Sequence, residues 1–596
     1  MPAPSQPPIA RRDLLRASAS FAGLAALGPL APAWARHGSH GLKAGVDVLS
    51  GERIALTIAD RAVRLGGRDA HAVTVNGSLP APLIRLREGQ RVQIAVTNML
   101  DEDSSIHWHG LLVPFHYDGV PGISFPGIAP GQTFTYDFPV VQAGTYWYHG
   151  HSNMQEAMGL YGAMVIDPVG HDPVHADREH ILVLSDWSMV HPHVLLRRLK
   201  QMGGYYNRQR QTVGGLLLGQ DQPLGERLAW ARMRMDPTDI ADVTGATYRY
   251  LINGHDEQAN WTGLFVPGET VRLRIVNAAA MTNFNLRLPG LAMTVVQADG
   301  LDVQPVETDE LQIAIAETYD ILVRPVEDRA YAVVAEAIDR SGLCRATLAP
   351  RADMVADVPP LRRRPLLTMR DMGMGGMDHG GAGHGDHGGG RHEDGGHGAG
   401  SMSQGDAVST GHDGMKMRDQ SRAPGVRLNP GVDMLAAAPV DRMGDRPTGL
   451  EDVDHRVLTY RDLKALAPNP DVRPPARSIE LHLTSNMERY MWSFDGVKFS
   501  DGADPIAFRE GERVRVTLIN DTMMPHPIHL HGHFFDLVTG TDDDAHKPRK
   551  HTVNVLPGGI VRFDLTADAL GDWAFHCHML LHMHAGMFRV VTVRAA

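Results

Sequence analysis

One pattern of glycine, alternating apolar residues and asparagine recurs three times along the chain. In each copy the asparagine lies nine positions after the glycine, at Gly89 to Asn98, Gly268 to Asn277 and Gly511 to Asn520. Apolar residues at every second position predict a strand with one buried face. A turn dipeptide precedes each copy, and these dipeptides are Asn76-Gly77, Asn253-Gly254 and Asp495-Gly496.

A second shared element follows each copy in the same order. It consists of an aromatic residue, an aspartate and an apolar residue, as in Tyr136-Asp137-Phe138, Tyr319-Asp320-Ile321 and Phe563-Asp564-Leu565. Two repeated elements in one order predict three β-domains built on a common plan. A chain of 596 residues is also too long for one hydrophobic core, because single cores stop growing near ~250–300 residues. We place the domains at residues 45–170, 175–350 and 455–596, in an all-β architecture.

The composition excludes several function classes. A net charge of −12 argues against a broad nucleic-acid binder. Only 2 cysteines exclude a disulfide scaffold and any zinc or iron–sulfur site with four cysteine ligands. The 32 histidines and 28 methionines are in excess, and imidazole and thioether ligands favour copper over magnesium or calcium.

Residues 1–35 have the features of an export signal. Arg11-Arg12 precedes an apolar stretch from Ala17 to Leu30, and Ala33-Trp34-Ala35 fits a cleavage site. The paired arginines resemble a bacterial twin-arginine signal, with an ordinary secretory signal or an N-terminal anchor as the alternative. No other segment reaches the ~18 apolar residues of a membrane span. We therefore expect a periplasmic protein, exported folded and without a membrane span in its mature form.

Residues 365–425 form a different kind of segment. Between Met369 and Met417 the chain is rich in glycine, histidine and methionine and has almost no large apolar residue. Such a sequence cannot build a core, so we expect a flexible, disordered insertion. Thioether sulfur prefers Cu(I), which makes the insertion a candidate for Cu(I) recruitment through Met372, Met374, Met377, Met415 and Met417. A solvated linker or a simple copper sponge is the alternative.

Histidines occur in four clusters with a spacing of two. They are His107-Trp108-His109, His149-Gly150-His151, the run from His526 through His529 to His531, and His576-Cys577-His578. Residues i and i+2 of a strand face the same side, so each pair directs two imidazoles to one point. The first and third domains supply matching pairs, whereas the second has Met281 to Asn285 at the aligned place. Eight imidazoles can therefore enclose a metal cluster between domains one and three.

Cys577 adds a second kind of site. Because it lies between His576 and His578, its side chain must point to the opposite face of the strand. His582 follows five residues later and Met587 ten residues later. With His526, these residues form the cysteine, two-histidine and methionine ligand set of a blue-copper electron-transfer site. A disulfide between Cys344 and Cys577 is the weaker alternative use of this thiol.

At these residues the sequence resembles the multicopper oxidases. The motifs are His107-Trp108-His109-Gly110, His149-Gly150-His151, the run from His526 to His533, and the run from His576 to Met587. The segment Asn486 to Trp492, the run Asp521 to His533 and the insertion are similar to the CopA-type periplasmic copper-resistance oxidases. The resemblance implies three cupredoxin-like Greek-key β-sandwich domains and four copper ions. Domain two would then hold no copper ligands.

Copper ligands are implied for each site by this resemblance. Type 1 copper would take His526, Cys577, His582 and the axial Met587; type 2 copper would take His107 and His529; the type 3 pair would take His109, His149, His151, His531, His576 and His578. Asp118 matches an acidic residue that relatives use near type 2 copper, although a turn aspartate beside Gly119 is the alternative. Met583 replaces a carboxylate that many relatives place after the type 1 histidine, which leaves Glu156 as the other candidate proton donor.

The activity implied by the resemblance is one-electron oxidation of a donor coupled to reduction of O2 to water. Cu(I) is the favoured donor and a phenol the second, in a copper-resistance role that can involve other periplasmic copper-handling proteins. A copper-sequestering protein with little turnover is the alternative. Copper nitrite reductases have a shorter two-domain chain, and a zinc hydrolase lacks support because no His-Glu-x-x-His motif occurs.

Overall fold

A computed structural model describes residues 47–374, 417–541 and 543–595. These residues form three β-sandwiches, each made of two sheets. The predicted all-β fold with three domains on one plan is therefore confirmed. The predicted signal in residues 1–35 and Met377 and Met415 of the insertion lie outside the described residues.

The first sandwich contains nine strands. In hydrogen-bonded order, one sheet contains Arg68–Val75, Arg53–Leu65, Arg91–Asn98 and Thr133–Pro139, and the other contains Val48–Ser50, Leu83–Arg87, Tyr161–Asp167, Gly144–His149 and His107–His109. Apolar side chains from both sheets form one buried cluster. This core fixes the two histidine-bearing strands at the end of the second sheet.

The second sandwich has the same plan with more strands. One sheet contains Tyr248–Ile252, Arg178–Ser188, Val271–Asn277, Thr318–Val323, Met293–Ala298 and Leu301–Thr308, and the other contains Trp261–Leu264, Leu343–Ala349, Tyr331–Ala337, Phe284–Arg287 and Glu310–Ile313. Its apolar core continues into that of the third sandwich. The second and third domains therefore share one continuous core.

The third sandwich carries both kinds of predicted site. One sheet contains Met491–Phe494, Arg477–Asn486, Arg513–Asn520, Gly559–Thr566, Phe535–Leu537 and Arg549–Lys550, and the other contains Ile506–Arg509, Phe588–Arg594, Gly571–Cys577, His526–Leu530 and Thr552–Val555. The short strand Val440–Asp441 pairs with Gly559–Thr566, so this sandwich takes a strand from before residue 455.

The two repeated sequence elements are neighbouring strands in every domain. Their registers correspond, with Gln93 opposite Asp137, Arg274 opposite Asp320 and Arg515 opposite Asp564. In the second and third domains the cross-strand residue is an arginine that pairs with the aspartate. In the first domain Gln93 and the neighbouring Arg91 take that role. The shared aspartate thus fixes the same strand pair three times.

The repeated asparagine positions the loop that follows its strand. The amide of Asn98 donates to the carbonyls of Glu102 and Ile128. Asn277 donates to two carbonyls in the same way, and so does Asn520. All three asparagines are fully buried. The loops after Asn98 and Asn520 lead to His107 and His526, so this buried amide holds the start of each histidine strand.

Four α-helices accompany the sheets in the described residues. Helices α1 (Pro192–Gln201), α2 (Val213–Leu217) and α3 (Leu224–Met233) lie between strands Arg178–Ser188 and Tyr248–Ile252. We call residues 192–235 the helical excursion. Helix α4 (Leu580–Ala585) follows the strand of Cys577 and carries His582. None of the helices in the described ranges is long and apolar enough to cross a membrane.

The two described ends of the predicted insertion are packed. Leu367, Met372 and Met374 are buried with Met434 and Met523 in one apolar cluster, and Met417 packs against it. Residues 375–416 lie outside the described residues.

Candidate metal centre

Strand pairing places the histidine pairs opposite one another. In the first domain His107 is opposite His149 across the ladder between two neighbouring strands. In the third domain His529 is opposite His576 in the corresponding ladder. All four residues are buried. The ladders therefore present two histidine-bearing strand pairs at the ends of their sheets.

The eight imidazoles of these strands meet between domains one and three. The ring of His107 stacks on that of His531, and the ring of His109 stacks on that of His529, with 3.8 Å between ring centroids in each case. Each stacked pair contains one ring from each domain. An approximate twofold arrangement of imidazoles thus encloses a common centre.

Potential ligand atoms gather in three groups of histidines around this centre, two of which share His109. In each group three nitrogens lie within 4.8 Å of one another, and the groups are His109 with His149 and His578, His151 with His531 and His576, and His107 with His109 and His529. The first two groups each contain three of the six histidines predicted for the type 3 pair. The third contains both histidines predicted for type 2 copper.

Many imidazole nitrogens at the centre have no hydrogen-bond partner among the described residues. They include Nε2 of His107, His149, His151, His529 and His578 and Nδ1 of His109. A buried polar atom without a partner costs free energy, whereas metal coordination would satisfy it. The residues present therefore fit a cluster of metal ions with nitrogen ligands.

Hydrogen bonds from the outer ring nitrogens orient several ligands. Nδ1 of His531 lies 2.9 Å from a carboxylate oxygen of Asp118, and Nδ1 of His107 lies 2.7 Å from the carbonyl oxygen of Asp118. Nδ1 of His149 lies 2.7 Å from Oε2 of Glu156. Both carboxylates are buried. Asp118 and Glu156 thus contact the histidines directly, as orienting partners of metal ligands do.

Burial keeps the histidines neutral, which is the form that binds metal. Desolvation and then repulsion from neighbouring imidazoles hold the pKa well below the ordinary value for His109, His151, His529, His531 and His578. Burial lowers the pKa of His576 to about 3. Burial has the opposite effect on the carboxyl of Glu156, whose pKa it raises well above its usual range. Glu156 is therefore a buried group that favours its protonated form.

A second group lies on the opposite side of the Cys577 strand. Sγ of Cys577 is 3.5 Å from Nδ1 of His526 and 3.9 Å from Nδ1 of His582, and the two Nδ1 atoms are 3.3 Å apart. All three residues are fully buried. Met587 is also fully buried, and its carbonyl accepts the backbone N–H of Cys577. One sulfur and two nitrogens that face a common point form a soft site suited to copper.

The side chains around this second group hold the two histidines in place. Nε2 of His582 lies 2.7 Å from a carboxylate oxygen of Asp242, to which Tyr490 also donates at 2.7 Å. Nε2 of His526 lies 2.7 Å from the hydroxyl of Thr522. The indole of Trp492 stacks on His582 with 3.7 Å between ring centroids. Burial raises the pKa of Asp242 to about 7.

Comparisons with known proteins agree with this geometry. Family models described as multicopper oxidase match residues 57–170, 179–352 and 472–596. The chain belongs to the multicopper oxidase family. It is 48% identical to the copper resistance protein A homolog of Pseudomonas syringae, covering 98% of this chain and 99% of that one. It is 47% identical to copper resistance protein A of Escherichia coli, over 91% of this chain and 93% of that one.

The comparison with solved structures concerns the fold. The structure of the laccase from Botrytis aclada superposes with a TM-score of 0.62 and 19% identity, covering 92% of this chain and 88% of the laccase. This likeness confirms the cupredoxin-like fold. As a multicopper oxidase, the protein is an enzyme with copper cofactors.

Several residues around the sites were not predicted from the sequence. Asp242 contacts His582 and accepts the hydroxyl of Tyr490, and neither residue belongs to a metal-binding motif. The carbonyl of His551 lies 2.8 Å from Nδ1 of His529. No spacing pattern in the sequence connects Asp242, Tyr490 or His551 with the histidines they serve, so sequence reasoning alone had no signal for them.

Proposed function

We propose that the protein oxidises Cu(I), uses O2 as electron acceptor and serves in copper resistance. The names of its 47–48% identical relatives support the copper-resistance role. We further propose four resident copper ions, with type 1 copper at His526, Cys577, His582 and Met587, and the other three among the eight clustered histidines. Copper ions held there would supply the one-electron oxidation of the donor and the four-electron reduction of O2.

The observation that favours Cu(I) as the electron donor is a cavity lined with sulfur and carboxylate groups. It has a volume of about 490 Å³ and lies between the helical excursion and the third domain. Its lining contains the thioethers of Met202, Met233, Met235, Met417, Met487 and Met523 and the carboxylates of Asp236, Asp239, Asp433 and Glu488. Thioether sulfur is a soft neutral ligand that prefers Cu(I), and the carboxylates supply negative charge for a cation.

Two arginines also line the cavity and pair with two of its carboxylates, Arg210 with Asp236 and Arg234 with Glu488. The other two carboxylates, Asp239 and Asp433, form no ion pair with a described residue. Burial, and then the nearby carboxylates of Asp242 and Asp236, raise the pKa of Asp239 to about 8. One oxygen of Asp239 is buried and has no hydrogen-bond partner in the described part of the chain. A bound cation would relieve both the repulsion and the missing partner. These features support a cation as the occupant of the cavity.

Bonded groups connect the cavity with His582. Met487 lines the cavity, and its carbonyl accepts the backbone N–H of Tyr490. The hydroxyl of Tyr490 donates to Asp242, which in turn contacts His582. These hydrogen bonds thus link the candidate donor site to His582 through only two residues, Tyr490 and Asp242.

The insertion begins and ends beside this cavity. Met417 lines it directly, and Met374 is buried in the apolar cluster that contains Met523. Met372 is buried in the same cluster. Of the predicted recruitment residues, Met417 is therefore the one with a described place in the cavity. This position supports a role of residues 375–416 in bringing Cu(I) to it.

The carboxylates near the histidine cluster are proposed proton donors. Asp118 contacts His531 and His107, and Glu156 contacts His149. A buried carboxyl with a raised pKa, as in Glu156, can hold a proton at Oε1, which has no hydrogen-bond partner among the described residues, while Oε2 accepts the Nδ1–H of His149. We also propose export to the periplasm through the signal that Arg11 and Arg12 predict.

The proposed donor is tested by O2 consumption of copper-loaded protein with Cu(I) and with a phenol. Replacing two cavity sulfurs in Met233→Leu/Met487→Leu should raise the KM for Cu(I) about tenfold, equivalent to about 1.4 kcal/mol of lost binding. Turnover of the phenol should remain. The exposed Met189, outside the cavity, provides the matched control Met189→Leu, which should change neither reaction.

Two results would count against the proposal. An unchanged KM for Cu(I) in the double variant would show that the cavity is not the site where the donor binds. Tight Cu(I) binding without O2 consumption by the loaded protein would instead favour sequestration of copper.

A further inference from the structure

The helical excursion presents apolar side chains to solvent at its tip. The exposed fractions are 70% for Val213, 80% for Leu217, 73% for Leu218, 59% for Leu224 and 48% for Leu228. None of these residues lines the Cu(I) cavity. The proposed oxidase function therefore leaves this surface without a role.

The local structure holds these side chains outward. Val213 and Leu217 are four residues apart on α2, and Leu224 and Leu228 are four apart on α3, so each pair shares a helix face. Trp230 anchors α3 from its buried side. The two helices are therefore oriented with one apolar pair each toward solvent.

Hydrogen bonds tie the two helices into one unit. The backbone N–H of Thr212 donates to the carboxylate of Asp221, and the guanidinium of Arg227 donates to the carbonyl of Thr212. These bonds close the loop between α2 and α3. The exposed leucines are thus part of an ordered tip.

Exposed apolar residues are concentrated in this part of the described chain. Of the 22 large hydrophobic residues that are exposed, seven lie between Met189 and Leu228, a stretch of about 40 residues. Scattered single exposures are normal on protein surfaces, whereas a concentration marks an interaction site. This distribution indicates that the tip contacts another surface.

The excursion is basic in a protein that is acidic overall. Residues 197–235 contain eight arginines and lysines and two acidic residues, against a net charge of −12 for the chain. Arg197, Lys200, Arg208 and Arg232 form no ion pair with any described residue. Their charge is therefore available to an anionic partner.

We propose that the helical excursion docks on an anionic phospholipid bilayer. The leucines of the tip would enter the boundary between headgroups and acyl chains, and the arginines would contact lipid phosphates. A protein partner is less favoured because protein interfaces are enriched in aromatic residues, and Tyr206 and Trp230 of the excursion are buried. The exposure of Val213, Leu217 and Leu218, each 70% or more, also suits insertion of these side chains into a bilayer.

Docking would bring the Cu(I) cavity close to the membrane. The excursion supplies Met202, Met233 and Met235 to the cavity lining, so a docked tip places the cavity beside the bilayer. This consequence rests on the proposed function, whereas the docking itself does not.

Vesicle binding tests the docking without any turnover. The copper-loaded full chain is floated with vesicles of phosphatidylglycerol and phosphatidylcholine in equal parts, and with vesicles of phosphatidylcholine alone. We expect binding to the anionic vesicles at low salt and weaker binding to the neutral ones. Leu217→Ser/Leu218→Ser should weaken binding by about tenfold or more, because it removes two inserted side chains. Arg208→Gln/Arg232→Gln should weaken binding and reduce its dependence on salt.

The control uses exposed valines elsewhere on the molecule. Val326 and Val472 are exposed by 62% and 64%, and Val326→Ser/Val472→Ser should bind vesicles like the unaltered protein. Retained oxidation of a phenol in solution shows that each variant is folded. Absence of binding to anionic vesicles at low salt would overturn the proposal, as would an equal loss in the valine control. Self-association that the leucine variant abolishes, without vesicle binding, would assign the tip to a second copy of the chain instead.

Discussion

Replacing Asp242 by asparagine should raise the reduction potential of copper bound at His526, Cys577 and His582. The carboxylate lies 2.7 Å from Nε2 of His582 and accepts the Tyr490 hydroxyl at 2.7 Å. A hydrogen bond to a charged group contributes about 1.5–3 kcal/mol and a neutral one about 0.5–1.5 kcal/mol. With a pKa of about 7, the carboxyl of Asp242 is mostly ionised at about pH 8. At that pH Asp242→Asn replaces the first kind by the second, so the more cationic oxidised site loses about 1–1.5 kcal/mol of stabilisation.

This loss converts directly into a potential. For one electron, about 59 mV corresponds to a tenfold change in equilibrium constant, or about 1.4 kcal/mol. The expected increase is therefore about 45–65 mV. The affinity for Cu(II) should also fall by about tenfold or more, as for other partners of metal-bound histidine. Redox titration of the visible thiolate-to-copper absorption measures the potential.

Tyr490→Phe provides a graded comparison. It removes a hydrogen bond that lowers the pKa of Asp242, so a larger fraction of the carboxyl is protonated and the potential should rise by less than in Asp242→Asn. A potential that is unchanged or lower in Asp242→Asn would refute the reasoning, because the carboxylate would then not stabilise the oxidised site.

Three further changes test other parts of the structure. His529→Ala should abolish O2 reduction while the blue absorption persists, because His529 belongs to the histidine cluster and not to the Cys577 group; loss of the absorption with O2 reduction intact would reverse this division. Deleting residues 375–416, which leaves the packed ends in place, should raise the KM for Cu(I) and leave phenol oxidation equal or faster; equal Cu(I) kinetics at limiting Cu(I) would leave only a linker. Burial alone would raise the pKa of Asp564, but hydrogen bonds from Arg515 and Lys547 hold it below its usual value, so the stability it provides is present above about pH 4 and is lost as the pH falls through the lower folded pKa. Asp564→Asn should therefore lower the free energy of unfolding by about 2–3 kcal/mol at neutral pH, seen as a lower thermal midpoint, and by progressively less in acid. An equal loss at neutral and at acidic pH would contradict the ion pair.

The repeats made much of the fold predictable from the sequence. Gly89, Gly268 and Gly511 marked equivalent strands because a strand with one buried face must alternate apolar and polar residues. The buried amides of Asn98, Asn277 and Asn520 explain why asparagine ends each copy. Helices α2 and α3 were not predicted, because α3 lacks a continuous apolar face and its leucines point to solvent.

The clustering of the histidines was predictable because strand geometry converts a spacing of two into a shared direction. A single pair such as His107 and His109 would not have been enough, but four pairs at matching places in two repeated domains indicated one centre. Asp242 could not be assigned, because it reaches His582 across a domain boundary from a position about 340 residues away. The cavity methionines likewise come from separate segments, so only folding brings Met233 and Met487 together.

Copper content and visible absorption of the purified protein test the central claim most directly. The fully loaded protein should contain about four copper ions per chain and show an intense thiolate-to-copper band. Cys577→Ser should lose this band, one copper ion and the oxidase activity, because the soft anionic ligand between the two histidines is removed. A Cys577→Ser protein that remains blue and fully active would contradict the assignment of both sites.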